Sequence, residues 1–231
     1  MRVLISQRHI RSEKGADRDA LEHDYISYYG SLGIILIPVS NTFDVEKYFD
    51  EFPVEGVILS GGNDVDPASY NEEVTYANDF SKERDNTERA LLENAIKKDI
   101  PVLCICRGMQ YMNVFFKGKL VQDIEKELNI KHPIEPHNIE IKDDKVIDFL
   151  GKNESIVNSY HKQGITPKTL SLELKAFAFA NKGEIIEGIY HPEHRIAGIQ
   201  WHPERQGSDK EIDNKLISAF LHNNLFWKKN G

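Results

Sequence analysis

Residues 102–110 read Val-Leu-Cys-Ile-Cys-Arg-Gly-Met-Gln. The first four residues predict a buried strand, Cys106 follows it, and Gly108 stands before a helix predicted over Tyr111–Phe116. A small nucleophile between a strand and a helix is typical of a nucleophile elbow, a sharp turn that lifts the reactive side chain above the sheet. The start of the helix also favours the thiolate form. The stretch therefore predicts Cys106 as a catalytic nucleophile.

Cys104 and Cys106 are the only two cysteines, and other interpretations of them stay open. A buried structural thiol suits Cys104, which lies inside the apolar strand, and it is the alternative for Cys106. A metal site would need two further ligands, and none stands at a recognisable spacing. A disulfide is disfavoured because next-but-one residues of a strand lie about 6.6 Å apart.

Strand-like apolar runs alternate with helical stretches around the elbow. Strands are expected at Arg2–Ser6, Ile34–Pro38, Gly56–Leu59 and Val102–Ile105, helices at Arg18–Tyr29, Asp44–Phe52 and Asp85–Lys98, and a polar loop at Ser60–Ser81. Continuously apolar strands that alternate with helices indicate an α/β fold. We expect a doubly wound, mostly parallel sheet with helices on both faces, a flavodoxin-like arrangement.

The second half of the chain has a different pattern. Leu170–Ala180, Glu184–Tyr190 and Ile196–Gln200 predict antiparallel strands joined by turns, and Asp209–Trp227 predicts a last helix. These strands predict a small antiparallel sheet beside the parallel one. Because neither a repeat nor a linker interrupts the 231 residues, we expect a single domain over residues 1–231.

The tripeptide His-Pro-Glu occurs twice, at residues 191–193 and 202–204. The first lies between two predicted strands and is interpreted as a hairpin turn. The second follows a strand, and catalytic groups gather at the carboxyl ends of strands in open α/β sheets. His202 is therefore expected to meet Cys106, with Glu204 orienting the imidazole. A solvated turn is the alternative for both copies.

Composition excludes several classes of function. The formal net charge is −8, which disfavours binding to nucleic acid or to anionic membranes. The first residues enter a predicted strand directly, so neither a signal peptide nor a membrane-spanning helix is expected. Two cysteines cannot hold together a disulfide-rich secreted scaffold. We expect a cytoplasmic protein.

The motifs together resemble the class I glutamine amidotransferase superfamily. The residues that carry the resemblance are 106–110, Cys-Arg-Gly-Met-Gln, and 200–204, Gln-Trp-His-Pro-Glu, supported by 60–67, Arg84 with Asp85 and Glu88, and 158–163. More narrowly, the chain is similar to the γ-glutamyl hydrolase branch, which includes γ-glutamyl-γ-aminobutyrate hydrolase. Cys104 departs from the glycine usual at that position, whereas Arg107 favours the hydrolase branch over ammonia-channelling amidotransferases.

The resemblance implies roles for individual residues. Gly61, Gly62 and the N–H of Arg107 would form the oxyanion hole, and Gln110 would hold the glutamyl head group, while Asn158, Ser159 and Tyr160 would bind its α-amino and α-carboxylate groups. Arg84, Asp85 and Glu88 also match the family pattern. The alternative is that Asp85 caps a helix and that the others are ordinary surface charges. A Cys-His-Glu triad would cut the amide through a thioester, with no metal and no organic cofactor.

The leaving group is harder to infer. Arg8, Arg107 and Arg205 adjoin the predicted site, and Arg forms forked bonds to phosphate or carboxylate, so an anionic leaving group is expected; arginines paired with nearby acids are the alternative. Residues 5–8, Ile-Ser-Gln-Arg, and 18–21, Arg-Asp-Ala-Leu, resemble family members associated with capsule biosynthesis. We therefore rank γ-glutamyl-CDP-amidate ahead of γ-glutamyl-γ-aminobutyrate as the substrate.

Two further classes stay open: a glutaminase subunit that feeds ammonia to a separate synthase, and a non-catalytic binding protein on the same fold. The expected partner is a small γ-glutamyl compound rather than nucleic acid or a membrane, and a homodimer stays open.

Overall fold

A computed structural model gives the structure of the chain and describes residues 1–132 and 135–222. In that part of the chain the strands are β1 Arg2–Ser6, β2 Arg8–Arg11, β3 Asp17–Ala20, β4 Ile35–Val39, β5 Gly56–Leu59, β6 Val102–Ile105, β7 His137–Ile141, β8 Glu154–Val157, β9 Lys175–Ala180, β10 Ile185–Tyr190 and β11 Ile196–Ile199. The α-helices are α1 His23–Ser31, α2 Val45–Glu51, α3 Lys82–Lys97, α4 Arg107–Phe115, α5 Ile124–Leu128, α6 Asp144–Leu150 and α7 Lys210–Leu221.

One sheet of nine strands, in the order β4-β1-β5-β6-β11-β10-β9-β7-β8, forms the centre of the molecule. The five strands from β4 to β11 run parallel, so their carboxyl ends lie along one edge. Successive residues of β1 pack into different apolar clusters: Val3 and Ile5 join α1, α6 and α7, while Leu4 joins α2, α3 and α4. Helices therefore cover both faces, as the apolar runs predict.

The antiparallel strands predicted in the second half continue this sheet instead of forming a second one. β10 pairs antiparallel with both β11 and β9, and β7 and β8 extend the sheet beyond β9. The separate antiparallel sheet is the β2–β3 hairpin. The predicted α/β class with parallel and antiparallel parts is confirmed, although the sequence analysis did not identify this hairpin.

Two predicted helices begin elsewhere. The helix expected from Arg18 begins at His23, because Asp17–Ala20 pairs with β2 and the Asp19 carboxylate accepts hydrogen bonds from Asn41. The helix expected from Asp85 begins one turn earlier, where the Ser81 hydroxyl caps it. The predicted last helix is observed as α7, and its expected residues 223–227 lie outside the described part.

Among residues 1–132 and 135–222, none of the helices combines the length and the apolar character needed to cross a bilayer.

Candidate active site

Cys106 lies in a strained turn between β6 and α4. Its φ of 51° and ψ of −106° are unfavourable for a residue with a side chain. Gly108 permits this turn, because a Cβ at that position would stand 2.3 Å from the carbonyl oxygen of Leu59 in β5. The backbone N–H of Cys106 donates to Ile199 at the end of β11, at 2.8 Å. The backbone thus has the geometry of the predicted nucleophile elbow.

His202 reaches Cys106 because β11 runs parallel to β6, with Ile199 in register with Ile105. The imidazole hydrogen-bonds the Cys106 thiol, and its Nδ1 lies 2.5 Å from Glu204 Oε1. Burial lowers the pKa of His202, but the charges and hydrogen bonds of Cys106 and Glu204 outweigh it and raise the pKa to about 10. The structure therefore brings the three predicted side chains into one hydrogen-bonded chain.

Asn158 holds the backbone of His202 from both sides. Its Oδ1 accepts the His202 N–H at 2.9 Å, and its Nδ2 donates to the carbonyls of His202 and Gln206 at 2.8 and 3.0 Å. Both ends of the amide already have partners in the protein, and the binding of the substrate's α-groups by the segment 158–160 stays a prediction. Asn158 positions the imidazole instead.

The glycine turn after β5 is more specialised than the sequence indicates. The N–H of Gly61 already donates to the Tyr25 hydroxyl at 2.8 Å, so Gly61 does not offer the oxyanion donor that was expected. A Cβ at Gly61 would stand 2.6 Å from the His202 ring, so this glycine makes room for the imidazole. Gly62 has a φ of 126°, and its N–H has no acceptor among the described residues.

A buried charged network lies beneath the elbow. Arg107 pairs with both Asp85 and Glu88, and Arg84 Nε donates to Glu88 at 3.0 Å. All four side chains are buried, so their interpretation as surface charges, with Asp85 as a cap, is wrong. Arg84 also donates to the carbonyls of Ser60 and Gly61 at 2.8 and 2.9 Å.

This network therefore fixes the glycine turn relative to the elbow. The two terminal nitrogens of the Arg107 guanidinium are paired there with acids, in line with the alternative stated for the arginines, and its buried Nε has no hydrogen-bond partner among the described residues. Its backbone N–H, at the start of α4, has no acceptor in the described part of the chain.

A cavity of about 390 Å³ opens above Cys106 and His202. Gln110 and Tyr160 line it as expected; Gln110 Nε2 donates to the Gln163 carbonyl at 2.8 Å, and the Tyr160 ring contacts the His202 ring edge-on at 5.6 Å. The Ser159 hydroxyl is buried, has no hydrogen-bond partner among the described residues and does not line the cavity.

Charged side chains surround the mouth of the cavity. Arg8 pairs with Asp79 at 2.9 Å, and Arg205 pairs with Glu22 at 2.5 Å and stacks on Tyr160. The predicted arginines are thus present but paired, in line with the alternative stated for them. Lys162 also lines the cavity, forms no ion pair within 4.0 Å among the described residues, and interacts electrostatically with Asp64 and Asp123.

The first His-Pro-Glu tripeptide lies elsewhere, as predicted. His191 Nδ1 accepts the backbone N–H groups of Glu193 and His194, both at 3.0 Å, in the turn between β10 and β11.

Sequence reasoning missed Tyr25 and the true contacts of Asn158, Arg84 and Glu88. No local motif marks them, because each acts through a neighbour distant in sequence.

Comparison with known proteins decides the family. The Peptidase C26 profile matches residues 4–204. The chain belongs to the Peptidase C26 family. This confirms the resemblance to class I glutamine amidotransferases and their γ-glutamyl hydrolase branch, and it supports a hydrolase.

Several relatives share most of their length with this chain. YvdE of Lactococcus lactis subsp. lactis, described as glutamine amidotransferase-like, is 32% identical over 212 residues, 87% of each protein. The γ-glutamyl-CDP-amidate hydrolase of Campylobacter jejuni is 31% identical over 175 residues, 76% of this chain and 74% of that protein. The γ-glutamyl-γ-aminobutyrate hydrolase of Escherichia coli O157:H7 is 26% identical over 226 residues, 90% and 87%.

Solved structures agree on the fold. A glutamine amidotransferase from Thermotoga maritima superposes with a TM-score of 0.60 at 16% identity, covering 96% of this chain and 83% of that one.

Proposed function

We propose that this protein hydrolyses a γ-glutamyl amide, with Cys106 as nucleophile, His202 as acid and base, and Glu204 orienting the imidazole. The observation that carries the proposal is the hydrogen-bonded chain of thiol, imidazole and carboxylate at the floor of a cavity. A raised pKa keeps His202 protonated at neutral pH, and an imidazolium beside the sulfur stabilises a thiolate.

The first step is attack of the Cys106 sulfur on the γ-carbonyl carbon of the substrate. Negative charge develops on the carbonyl oxygen, and the backbone N–H groups of Gly62 and Arg107 donate hydrogen bonds to that oxygen. In comparable enzymes such a donor is worth about 3–4 kcal/mol to the transition state. The buried network of Arg84, Glu88 and Arg107 holds the two donors in place.

The second step transfers a proton from His202 Nε2 to the leaving nitrogen, because Nδ1 is committed to Glu204. The C–N bond breaks, the amine leaves, and a γ-glutamyl thioester with Cys106 remains. Water then gives a proton to the neutral imidazole and attacks the thioester. Glutamate leaves and the thiolate is restored.

The glutamyl group needs polar contacts on the cavity wall. Gln110 offers its side-chain carbonyl oxygen, because its Nε2 already donates to the Gln163 carbonyl and to Gln200 Oε1. Tyr160 offers a hydroxyl at the cavity rim beside His202. We assign these two side chains to the glutamyl head group.

The leaving group is proposed to be anionic. Lys162 supplies a positive charge at the cavity, and the buried Nε of Arg8 has no hydrogen-bond partner in the part of the chain that the structure describes. The relative named γ-glutamyl-CDP-amidate hydrolase supports a nucleotide-linked leaving group, and we rank γ-glutamyl-CDP-amidate, a precursor for capsule modification, first. The relative named γ-glutamyl-γ-aminobutyrate hydrolase supports the second candidate, whose leaving group carries a carboxylate.

The test is glutamate release from γ-glutamyl-CDP-amidate, γ-glutamyl-γ-aminobutyrate and glutamine. We expect release from at least one anionic amide and none with Cys106→Ala. Cys104→Ala is the matched control, because burial raises the pKa of the Cys104 thiol well above its usual value and keeps it unreactive. Equal release by Cys106→Ala would contradict the mechanism. Glutamine hydrolysis only with a partner synthase would favour the glutaminase alternative.

Lys162→Ala and Arg8→Ala separate the leaving groups. Each is expected to raise KM for the anionic amide about tenfold, as loss of a charge-assisted hydrogen bond would, with kcat and glutamine KM unchanged. Unchanged KM for every amide would remove the argument for an anionic leaving group.

A further inference from the structure

Three histidines and one glutamate meet beside the active site, and His161 alone of the four also lines its cavity. Glu187 lies on β10, His137 begins β7, His132 precedes β7, and His161 follows β8. Their side chains are 0%, 10%, 2% and 3% exposed, respectively. A cluster of this composition, drawn from separate parts of the chain, needs a physical explanation.

The contacts within the cluster do not satisfy its polar atoms. Glu187 Oε1 lies 3.5 Å from His132 Nε2, 3.6 Å from His137 Nε2 and 3.8 Å from His161 Nε2, all too long for hydrogen bonds. Both Glu187 oxygens and the His137 Nε2 are buried without a hydrogen-bond partner among the described residues. A fully buried carboxylate whose nearest donors lie 3.5–3.8 Å away is poorly compensated, and a cation between these groups would offset that cost.

The spacing is that of ligands around one ion. Tetrahedral zinc with bonds of about 2.0–2.1 Å to nitrogen and oxygen places neighbouring ligand atoms about 3.3–3.4 Å apart. The three distances from Glu187 are about 0.1–0.5 Å longer than this spacing, and the Nε2 atoms of His132 and His161 lie within hydrogen-bonding distance at 3.0 Å. The ligand atoms of His132, His137 and Glu187 all lie within 4.8 Å of one another.

The histidines also present the correct atoms. His161 Nδ1 lies 2.9 Å from the Gln163 carbonyl, so its proton resides there and Nε2 carries the lone pair. His137 Nδ1 lies 3.4 Å from the Glu135 carbonyl, which leaves its Nε2 towards Glu187. A second cavity of about 370 Å³, lined by His132, His161 and Asp123, gives an ion a route to the cluster.

We propose that His132, His137 and Glu187 bind a zinc-class divalent metal ion, with His161 on the fourth side. Imidazole nitrogens with one carboxylate suit Zn²⁺ and its neighbours, whereas Mg²⁺ and Ca²⁺ prefer oxygen ligands. The ion fixes the segment around His161, which lines the substrate cavity, to the antiparallel half of the sheet. No step of the proposed hydrolysis passes through it. No metal was expected from the sequence, because no further ligands stand at a recognisable spacing from the two cysteines.

The test is binding of Zn²⁺ and Co²⁺ to the full chain after removal of metal by a chelator and dialysis. One Zn²⁺ per chain and a tetrahedral Co²⁺ absorption spectrum are expected. His137→Ala and Glu187→Gln should weaken Zn²⁺ binding by at least about 100-fold, since changes outside the ligand set alone cost 10–100-fold. His23→Ala removes an exposed histidine and should bind as the wild type does.

Cys106→Ala should also bind as the wild type does, which separates this site from the active-site thiol and makes the test independent of the hydrolase proposal. If Glu187→Gln does not fold by circular dichroism, His132→Ala in the preceding loop serves the same purpose. Substoichiometric Zn²⁺ in the wild type, or unchanged affinity in His137→Ala, would overturn the proposal.

Discussion

The two His-Pro-Glu tripeptides have the same sequence and opposite uses. In the first, His191 Nδ1 accepts two backbone N–H groups of its own turn. In the second, His202 Nδ1 bonds the Glu204 carboxylate, and the other side of the ring faces Cys106. The first histidine stabilises a hairpin, whereas the second takes part in a candidate catalytic chain. The tripeptide itself therefore carries no function.

Strand direction separates the two copies. The first precedes β11, where Val102 at the start of β6 donates to the Arg195 carbonyl at 2.8 Å. The second follows β11, where Cys106 at the end of β6 donates to the Ile199 carbonyl. Because β6 and β11 are parallel, the copies lie at opposite edges of the sheet, and only one edge carries the elbow.

The largest expected effect comes from His202→Ala. Removal of the general acid should lower kcat at least about 1,000-fold, within the range that acid–base groups contribute. The measurement is steady-state glutamate release from the best substrate of the panel. His191→Ala is the matched change and should retain kcat within a few-fold. Similar losses in both variants would erase the functional distinction between the tripeptides.

A smaller effect is expected from Glu204→Gln. A less well oriented imidazole should lower kcat/KM about 100-fold, and the pH at which activity declines should fall, because the Glu204 charge no longer raises the His202 pKa. Glu193→Gln, the same change in the first tripeptide, should leave the pH profile unchanged.

The same pKa predicts a stability effect. His202 has a folded-state pKa of about 10 against an ordinary 6.5, so its stabilisation is complete below pH 6.5 and is lost as pH rises through about 10. The stability difference between wild type and Glu204→Gln in urea unfolding should therefore shrink towards pH 10. A constant difference would contradict the charged pair.

The smallest effect on activity and a modest one on stability are expected from His191→Ala. It loses two hydrogen bonds to the turn and the contact of its ring with Phe116 at 4.7 Å. Two such bonds contribute about 1–3 kcal/mol, so Tm should fall by a few degrees while kcat holds. A thermal melt checks this; a large loss of kcat at full stability would contradict it.

Much of the fold could be predicted because its strands are apolar on both faces. β1, β5 and β6 are found where their apolar runs predict them. The β2–β3 hairpin could not be predicted in this way, since its polar residues are held by tertiary contacts such as Asp19 with Asn41. The starts of α1 and α3 differ from the prediction for a related reason. The pairing of β3 with β2 delays the start of α1, and the Ser81 cap lets α3 begin earlier.

The residues of the candidate site were easier to find than their contacts. Cys106, His202 and Glu204 stand in recognisable local patterns, and the structure brings them together. Gly61, Asn158 and Arg107 were expected to contact substrate, but tertiary neighbours occupy the N–H of Gly61, the amide of Asn158 and the guanidinium of Arg107.

The sequence by itself determined the parallel sheet, the elbow and the position of the second His-Pro-Glu after a strand, because apolar periodicity and local turn chemistry act over a few residues. Only the tertiary structure decided which polar groups are already paired and which remain free for a ligand. That distinction depends on neighbours far apart in sequence, as Glu187 and the three histidines around it show.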